Sequence, residues 1–163
     1  MWQAYEDAIP IEERNDFVKA YRRRLIGELG PQAMQEAAEA WAVWEGMTSH
    51  LTVPPVEDVK QVHGSSEYNL AFSRIENHYF THGAFFPRDG YLLEQKNIDL
   101  IRHIPTAIVQ GRYDVVCPMM SAYDLKRVFP EAELMITLAG HSAFEEMNTH
   151  ELVKITDRLK FDR

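Results

Sequence analysis

Only two stretches of this chain read as β-strands, and that scarcity constrains the fold more than any other feature. Residues 103–111, His103-Ile104-Pro105-Thr106-Ala107-Ile108-Val109-Gln110-Gly111, form a short apolar run with β-branched residues, entered at a proline and left at a glycine. That is how a buried strand is punctuated. Residues 133–138, Glu133-Leu134-Met135-Ile136-Thr137-Leu138, form the second, ending at Ala139-Gly140-His141. Residues 121–129 between them are helical, with Ser121 available as an N-cap. Strand, helix, strand closes one right-handed parallel unit. Parallel sheets are normally covered by helices on both faces, and two strands alone make almost no sheet. The expectation is an α/β protein whose other strands lie outside these 163 residues. The strand at 106–110 then has too few neighbours, so association, aggregation or partial disorder is expected unless a complementary segment covers it.

The remainder reads as helix. Over 11–29, Phe17, Ala20, Tyr21, Leu25 and Ile26 recur at spacings of three and four, marking one apolar face. Arg22-Arg23-Arg24 reads as a solvated helix face. Gly30-Pro31 ends one helix and opens the next. That helix covers 32–45 through Met34, Ala37, Ala38, Trp41 and Trp44, with Gly46 as its stop. Residues 52–66 hold Pro54, Pro55 and Gly64 and read as a loop with a turn of helix. A third helix over 67–82 carries Leu70, Phe72, Ile75, Tyr79 and Phe80, and residues 83–90 form a connector. A closing amphipathic helix over 149–161 follows from Leu152, Ile155 and Leu159. The texture changes near residue 88, dividing the chain into 1–88 and 89–163.

Composition excludes several classes. With 17 basic against 25 acidic residues the formal charge is −8, which argues against nucleic-acid and anionic-membrane partners. Cys117, the one cysteine, forms no internal disulfide, and a reducing cytoplasm is expected. Met1-Trp2-Gln3-Ala4-Tyr5-Glu6-Asp7 has neither the basic nor the apolar region of a secretory signal. No apolar run approaches the ~18 residues of a membrane span.

The sharpest chemical signal is a pair. Asp114 lies past the carboxyl end of the first strand, in Gly111-Arg112-Tyr113-Asp114, and His141 past the end of the second, in Ala139-Gly140-His141-Ser142. Catalytic groups of open α/β sheets collect at these edges, and adjacent parallel strands stand only ~4.8 Å apart. An aspartate that accepts from an imidazole fixes its tautomer and stabilises the imidazolium formed when it takes a proton. Asp then His, at strand ends, is the order of the last two members of an α/β-hydrolase triad. The bland alternative is a turn-capping aspartate and an ordinary loop histidine. No Gly-x-Ser-x-Gly elbow is present. Gly64-Ser65-Ser66 lacks the second glycine, and Cys117, between Val116 and Pro118, reads as a small buried side chain rather than a nucleophile.

Two glutamates also stand out. Glu76 shares a helical face with Phe72, Ile75, Tyr79 and Phe80, and Glu45 follows Trp41 and Trp44. A carboxylate rarely enters apolar surroundings without a cationic partner. That partner is a bound ammonium or a local arginine such as Arg74, and helical patterning alone leaves the two level. His78 and His82 have the i, i+4 spacing of zinc ligands but lack the His-Glu-x-x-His order, so no metal site is expected. The tryptophan and tyrosine stripes read as core packing.

Residues 103–111, the Gly111-Arg112-Tyr113-Asp114 turn, Pro130-Glu131-Ala132-Glu133-Leu134 and Gly140-His141-Ser142 resemble the C-terminal region of the proline iminopeptidases, α/β-hydrolase serine peptidases. Trp41-Ala42-Val43-Trp44-Glu45-Gly46 and Arg74-Ile75-Glu76-Asn77-His78-Tyr79-Phe80 resemble the helical cap of that family. The resemblance covers nearly the whole chain and the latter half of a family member. The family's His-Gly-Gly-Pro-Gly oxyanion segment and serine elbow are absent.

The resemblance implies a partial α/β-hydrolase fold, with 1–88 as helical cap domain and 89–163 as the C-terminal part of the core, its last strand–helix units. It implies Asp114 and His141 as triad acid and base, Glu45 and Glu76 as the carboxylates that grip a substrate's amino terminus, and Phe80 as lining for the proline ring. Peptides with N-terminal proline are the implied substrates, without metal or organic cofactor, and the chain alone is expected to show no turnover. Two other expectations compete: a non-catalytic binding module that keeps the cap pocket, and an α/β hydrolase of other specificity, such as an esterase.

Overall fold

A computed structural model describes residues 2–62 and 66–161 of the chain. Gly64 and Ser65, two of the three residues of the Gly64-Ser65-Ser66 motif, lie outside the described residues. The chain divides into two compact units, Met1–Met47 with Pro54–Pro87, and Thr48–Val53 with Arg88–Arg163.

The first unit is helical: α1 (Trp2–Asp7), α2 (Phe17–Leu25), α3 (Pro31–Thr48), α4 (Val56–Val62) and α5 (Ser66–Thr81). Its core is aromatic. Tyr5, Ile9, Tyr21, Leu25 and Trp41 are buried with Ala20, Ala37 and Ala38. The Tyr5 and Tyr21 rings stack at 4.6 Å, and Tyr21 meets Trp41 edge-on at 5.2 Å. The Tyr21 hydroxyl donates to the Tyr5 carbonyl at 2.6 Å. Burial pushes the Tyr5 phenol up to about 12 and raises that of Tyr21 further.

Several sequence expectations shift here for identifiable reasons. The helix expected from residue 11 begins at Phe17, because Ile11–Glu13 forms a separate 3₁₀ turn and Asp16 caps α2, accepting from the Lys19 N–H at 3.0 Å. Arg24 is not on a solvated face. It is buried and donates to Glu13 at 2.9 Å and to the Ala20 carbonyl at 2.9 Å, which is how a guanidinium is accommodated inside. Gly46 does not stop α3, since a glycine ends a helix by turning left-handed and Gly46 keeps helical geometry. On α5 the buried positions are Asn69, Ser73 and Asn77, while Ile75, Tyr79 and Phe80 are exposed. Two of the three have partners that stabilise this face: Ser73 Oγ donates to the Ala38 carbonyl at 3.2 Å, and Asn77 Nδ2 to the Val18 carbonyl at 2.8 Å, while Asn69 Oδ1 is buried without one among the described residues.

The second unit holds α6 (Gln95–Ile101), β1 (Ala107–Gly111), α7 (Met119–Val128), β2 (Glu133–Thr137) and α8 (Glu146–Phe161). The strands pair in parallel, Ala107 opposite Glu133 and Gly111 opposite Thr137, with α7 as crossover. Ile98, Phe129 and Ala132 form the buried centre, with Ile108, Leu125 and Val128 packed against it. Ser121 is not the α7 cap. Pro118 precedes the first helical residue, its φ of −55° already fixed by the ring, and Ser121 lies inside the first turn. α8 starts three residues before the expected position. Among the described residues the sheet has two strands, and no helix is long and apolar enough to cross a membrane.

Candidate active site

The pair at the strand ends begins with Gly111. A side chain at this position would place its Cβ 1.9 Å from the Gly140 oxygen and 2.6 Å from the Ala139 oxygen, so only glycine lets the two chain segments come this close. The close approach carries the pairing beyond the strands: Arg112 N–H donates to the Thr137 carbonyl at 2.9 Å and Tyr113 N–H to that of Ala139 at 3.0 Å. Asp114 and His141, three residues past β1 and four past β2, are thereby brought face to face.

His141 Nδ1 lies 3.0 Å from Asp114 Oδ2. The Asp114 side chain is 5% exposed and that of His141 36%. Three further donors surround the carboxylate. Val116 N–H and Cys117 N–H reach Oδ1 at 3.0 and 2.7 Å, and Gln110 Nε2 reaches Oδ2 at 3.1 Å. A buried carboxylate persists only when so satisfied. An ionised carboxylate only accepts, so Nδ1 carries the hydrogen and Nε2 is the basic nitrogen. The arrangement can take a proton at Nε2 and hold the imidazolium beside a fixed negative charge.

Gln110 is a site residue that sequence reading missed. Its amide also donates to the Cys117 carbonyl at 3.0 Å and so closes the turn around Asp114. Alternation along β1 gave no hint, because the contact depends on the turn that follows. Cys117 is exposed, not buried as expected. The turn aims the N–H groups of residues 116 and 117 inward at Asp114, and that leaves the side chains outside.

In the first unit, Glu76 is half-buried and its Oε2 accepts from the Trp41 indole N–H at 2.8 Å. Phe80, 59% exposed, sets its ring centroid 5.9 Å from that of Trp41. Trp41 therefore packs the core with one edge and holds a carboxylate with its nitrogen, a second role that a stripe of aromatics does not reveal. The indole N–H orients the Glu76 carboxylate. Arg74 turns to the Leu25 carbonyl at 2.6 Å. Glu45 lies half-buried on α3. The His78 and His82 rings stand 4.4 Å apart, and among the described residues no three His, Cys, Asp or Glu side chains gather to hold a metal ion.

An acid and a histidine at the carboxyl ends of adjacent parallel strands is the arrangement of the last two triad members in α/β hydrolases. No family model matches the chain. Among curated proteins it is 48% identical, over 98% of its length, to the proline iminopeptidase of Arabidopsis thaliana. It is 48% identical over 96% of its length to that of Xanthomonas citri, and 38% identical over the same share to that of Neisseria gonorrhoeae. The chain is a homologue of the proline iminopeptidases and spans less than half of these relatives, 41%, 49% and 47% of their lengths. A mostly helical chain with one small parallel sheet agrees with part of an α/β-hydrolase fold.

Proposed function

We propose that this chain supplies the acid–base pair and the amine-binding cap of a proline iminopeptidase, with 1–88 as cap domain and 89–163 as the C-terminal part of the hydrolase core. The observation that carries the reading is the contact of His141 Nδ1 with Asp114 Oδ2 at 3.0 Å past the ends of β1 and β2. Since the 163 residues hold no Gly-x-Ser-x-Gly elbow, the nucleophilic serine comes from another segment. That serine attacks the carbonyl of an N-terminal proline as His141 Nε2 takes its proton. His141 then returns the proton to the leaving amine, and water repeats the cycle on the acyl-enzyme, releasing free proline. Asp114 keeps the ring in register and stabilises the imidazolium.

Glu45 and Glu76 receive the substrate's ammonium, and Phe80 packs against the proline ring. The support is the half-buried Glu76 carboxylate held by Trp41, with Phe80 against the same indole. Two carboxylates facing one ammonium read a free amino terminus and reject a blocked one.

The test uses prolyl p-nitroanilide with an enzyme in which residues 1–163 are joined to the upstream part of a proline iminopeptidase relative. Glu76→Gln is expected to raise KM about 10- to 100-fold, the loss of one charge-assisted hydrogen bond, with kcat little changed. Equal rates on free and N-acetylated prolyl substrates would point to a hydrolase of other specificity. Binding of prolyl peptides without turnover would point to a binding module.

A further inference from the structure

A histidine in a loop keeps its ring aimed only when the backbone on both sides is held. His141 lies between Gly140 and Ser142, and every backbone polar group of these two neighbours has a partner. Gly140 N–H donates to Glu145 Oε2. Asn148 Nδ2 donates to the Gly140 carbonyl at 3.2 Å and to the Ser142 carbonyl at 2.9 Å. Ser142 N–H donates to the Ser49 carbonyl at 2.8 Å. The second oxygen of Glu145 accepts the Leu51 N–H at 2.8 Å, so one carboxylate ties the segment Thr48–Val53 to the loop.

Asn148, 4% exposed, is the centre of this arrangement. Its amide orientation follows from its partners. The two carbonyls require the NH₂ group, and Oδ1 accepts from the buried Thr137 hydroxyl. Turned over, the amide would set an oxygen against two carbonyl oxygens, and the Thr137 hydroxyl would keep only its longer contact to the Gln110 carbonyl at 3.4 Å. The side chain thus runs from the end of β2, through α8, back to both sides of His141.

We propose that Asn148, assisted by Glu145, is a positioning residue for His141, fixing the carbonyls on either side so that Nδ1 stays on Asp114 Oδ2. The proposal rests on the acid–base reading of the pair and adds the groups that aim the ring. Neither side chain reaches a reacting atom; both act through the loop.

The experiment is ¹H–¹⁵N NMR of the full chain, reading the His141 Nδ1–H resonance and its exchange with water. Asn148→Asp keeps the size and replaces a two-hydrogen donor with an acceptor. Two hydrogen bonds are lost, and exchange of the His141 proton is expected to accelerate about tenfold or more, while the Trp41 indole N–H is unchanged. Thr137→Val is isosteric and removes the hydroxyl that orients the amide, together with its longer contact to the Gln110 carbonyl at 3.4 Å; an acceleration of about threefold is expected. This variant carries the test if Asn148→Asp does not fold. Wild-type exchange in a folded Asn148→Asp or Thr137→Val chain overturns the proposal and leaves Asn148 as a brace of α8. Asp114→Asn separates the two claims. The His141 Nδ1–H resonance must be lost there, and its persistence refutes the pair itself and the clamp with it.

Discussion

Gly111→Ala isolates the close approach that joins the acid to the histidine. Gly111 is not among the glycines with positive φ, so an alanine suits its backbone and only the methyl group is at fault. That methyl would stand 1.9, 2.6 and 2.8 Å from main-chain atoms of Gly140 and Ala139, where a Cβ essentially never comes within 3.0 Å. Main chain does not rotate away as a side chain does, so the loop after β2 must withdraw by about 1 Å or more. Three contacts stretch together: Arg112 N–H to the Thr137 carbonyl at 2.9 Å, Tyr113 N–H to that of Ala139 at 3.0 Å, and His141 to Asp114 at 3.0 Å. At roughly 0.5–1.5 kcal/mol each, their loss costs about 2–4 kcal/mol. For a chain of this size that is a fall in Tm of about 5–15 °C. Thermal unfolding followed by circular dichroism measures it, beside the His141 Nδ1–H resonance. A Gly111→Ala chain with Tm within about 2 °C of wild type and an intact resonance would refute the steric argument.

Three other outcomes are expected. Arg24 holds the Glu13 carboxyl below the ordinary carboxylate range, first through its hydrogen bond. A depressed folded value stabilises above the unfolded one and is lost as pH falls, so Glu13→Gln should lower the urea midpoint at neutral pH and flatten its decline in acid; an unchanged midpoint would count against the pair. Burial raises the phenols of Tyr5, to about 12, and Tyr21. The folded state therefore binds these protons more tightly, its stability is full below about pH 10 and falls above it, and tyrosinate absorbance should rise with unfolding rather than before it. Ile136 and Leu138, on and just past β2, are exposed, and size-exclusion chromatography should show association that a compact, monodisperse monomer would contradict.

The parallel unit was legible because its signals are local. Pro105 and Gly111 bound one strand, the apolar run at 133–138 gives the other, and the strand ends locate Asp114 and His141 without knowledge of the rest. Helix limits were less legible. Asp16 and Pro118 set the starts of α2 and α7, whereas Gly46 and Ser121, equally plausible by residue type, lie inside helices. The face of α5 was misread for a physical reason. Periodicity weighs apolarity, and here the buried positions are Asn69, Ser73 and Asn77, two of them paid for by hydrogen bonds to carbonyls on α2 and α3. Gln110, Trp41 and Asn148 act through partners 4, 35 and 6 to 11 residues away, and amide or indole donors carry no sequence pattern that announces such a contact. The exposed Cys117 shows the same limit, since a turn wrapped around a carboxylate reverses what neighbouring valines suggest.

The most direct measurement is kcat for prolyl p-nitroanilide in the joined enzyme, with and without His141. Turnover is expected in the parent, with a loss of about 10³-fold or more in His141→Ala at unchanged fold and a large loss in Asp114→Asn. A folded His141→Ala enzyme that keeps the parent rate would contradict the assignment of the proton transfer to this pair.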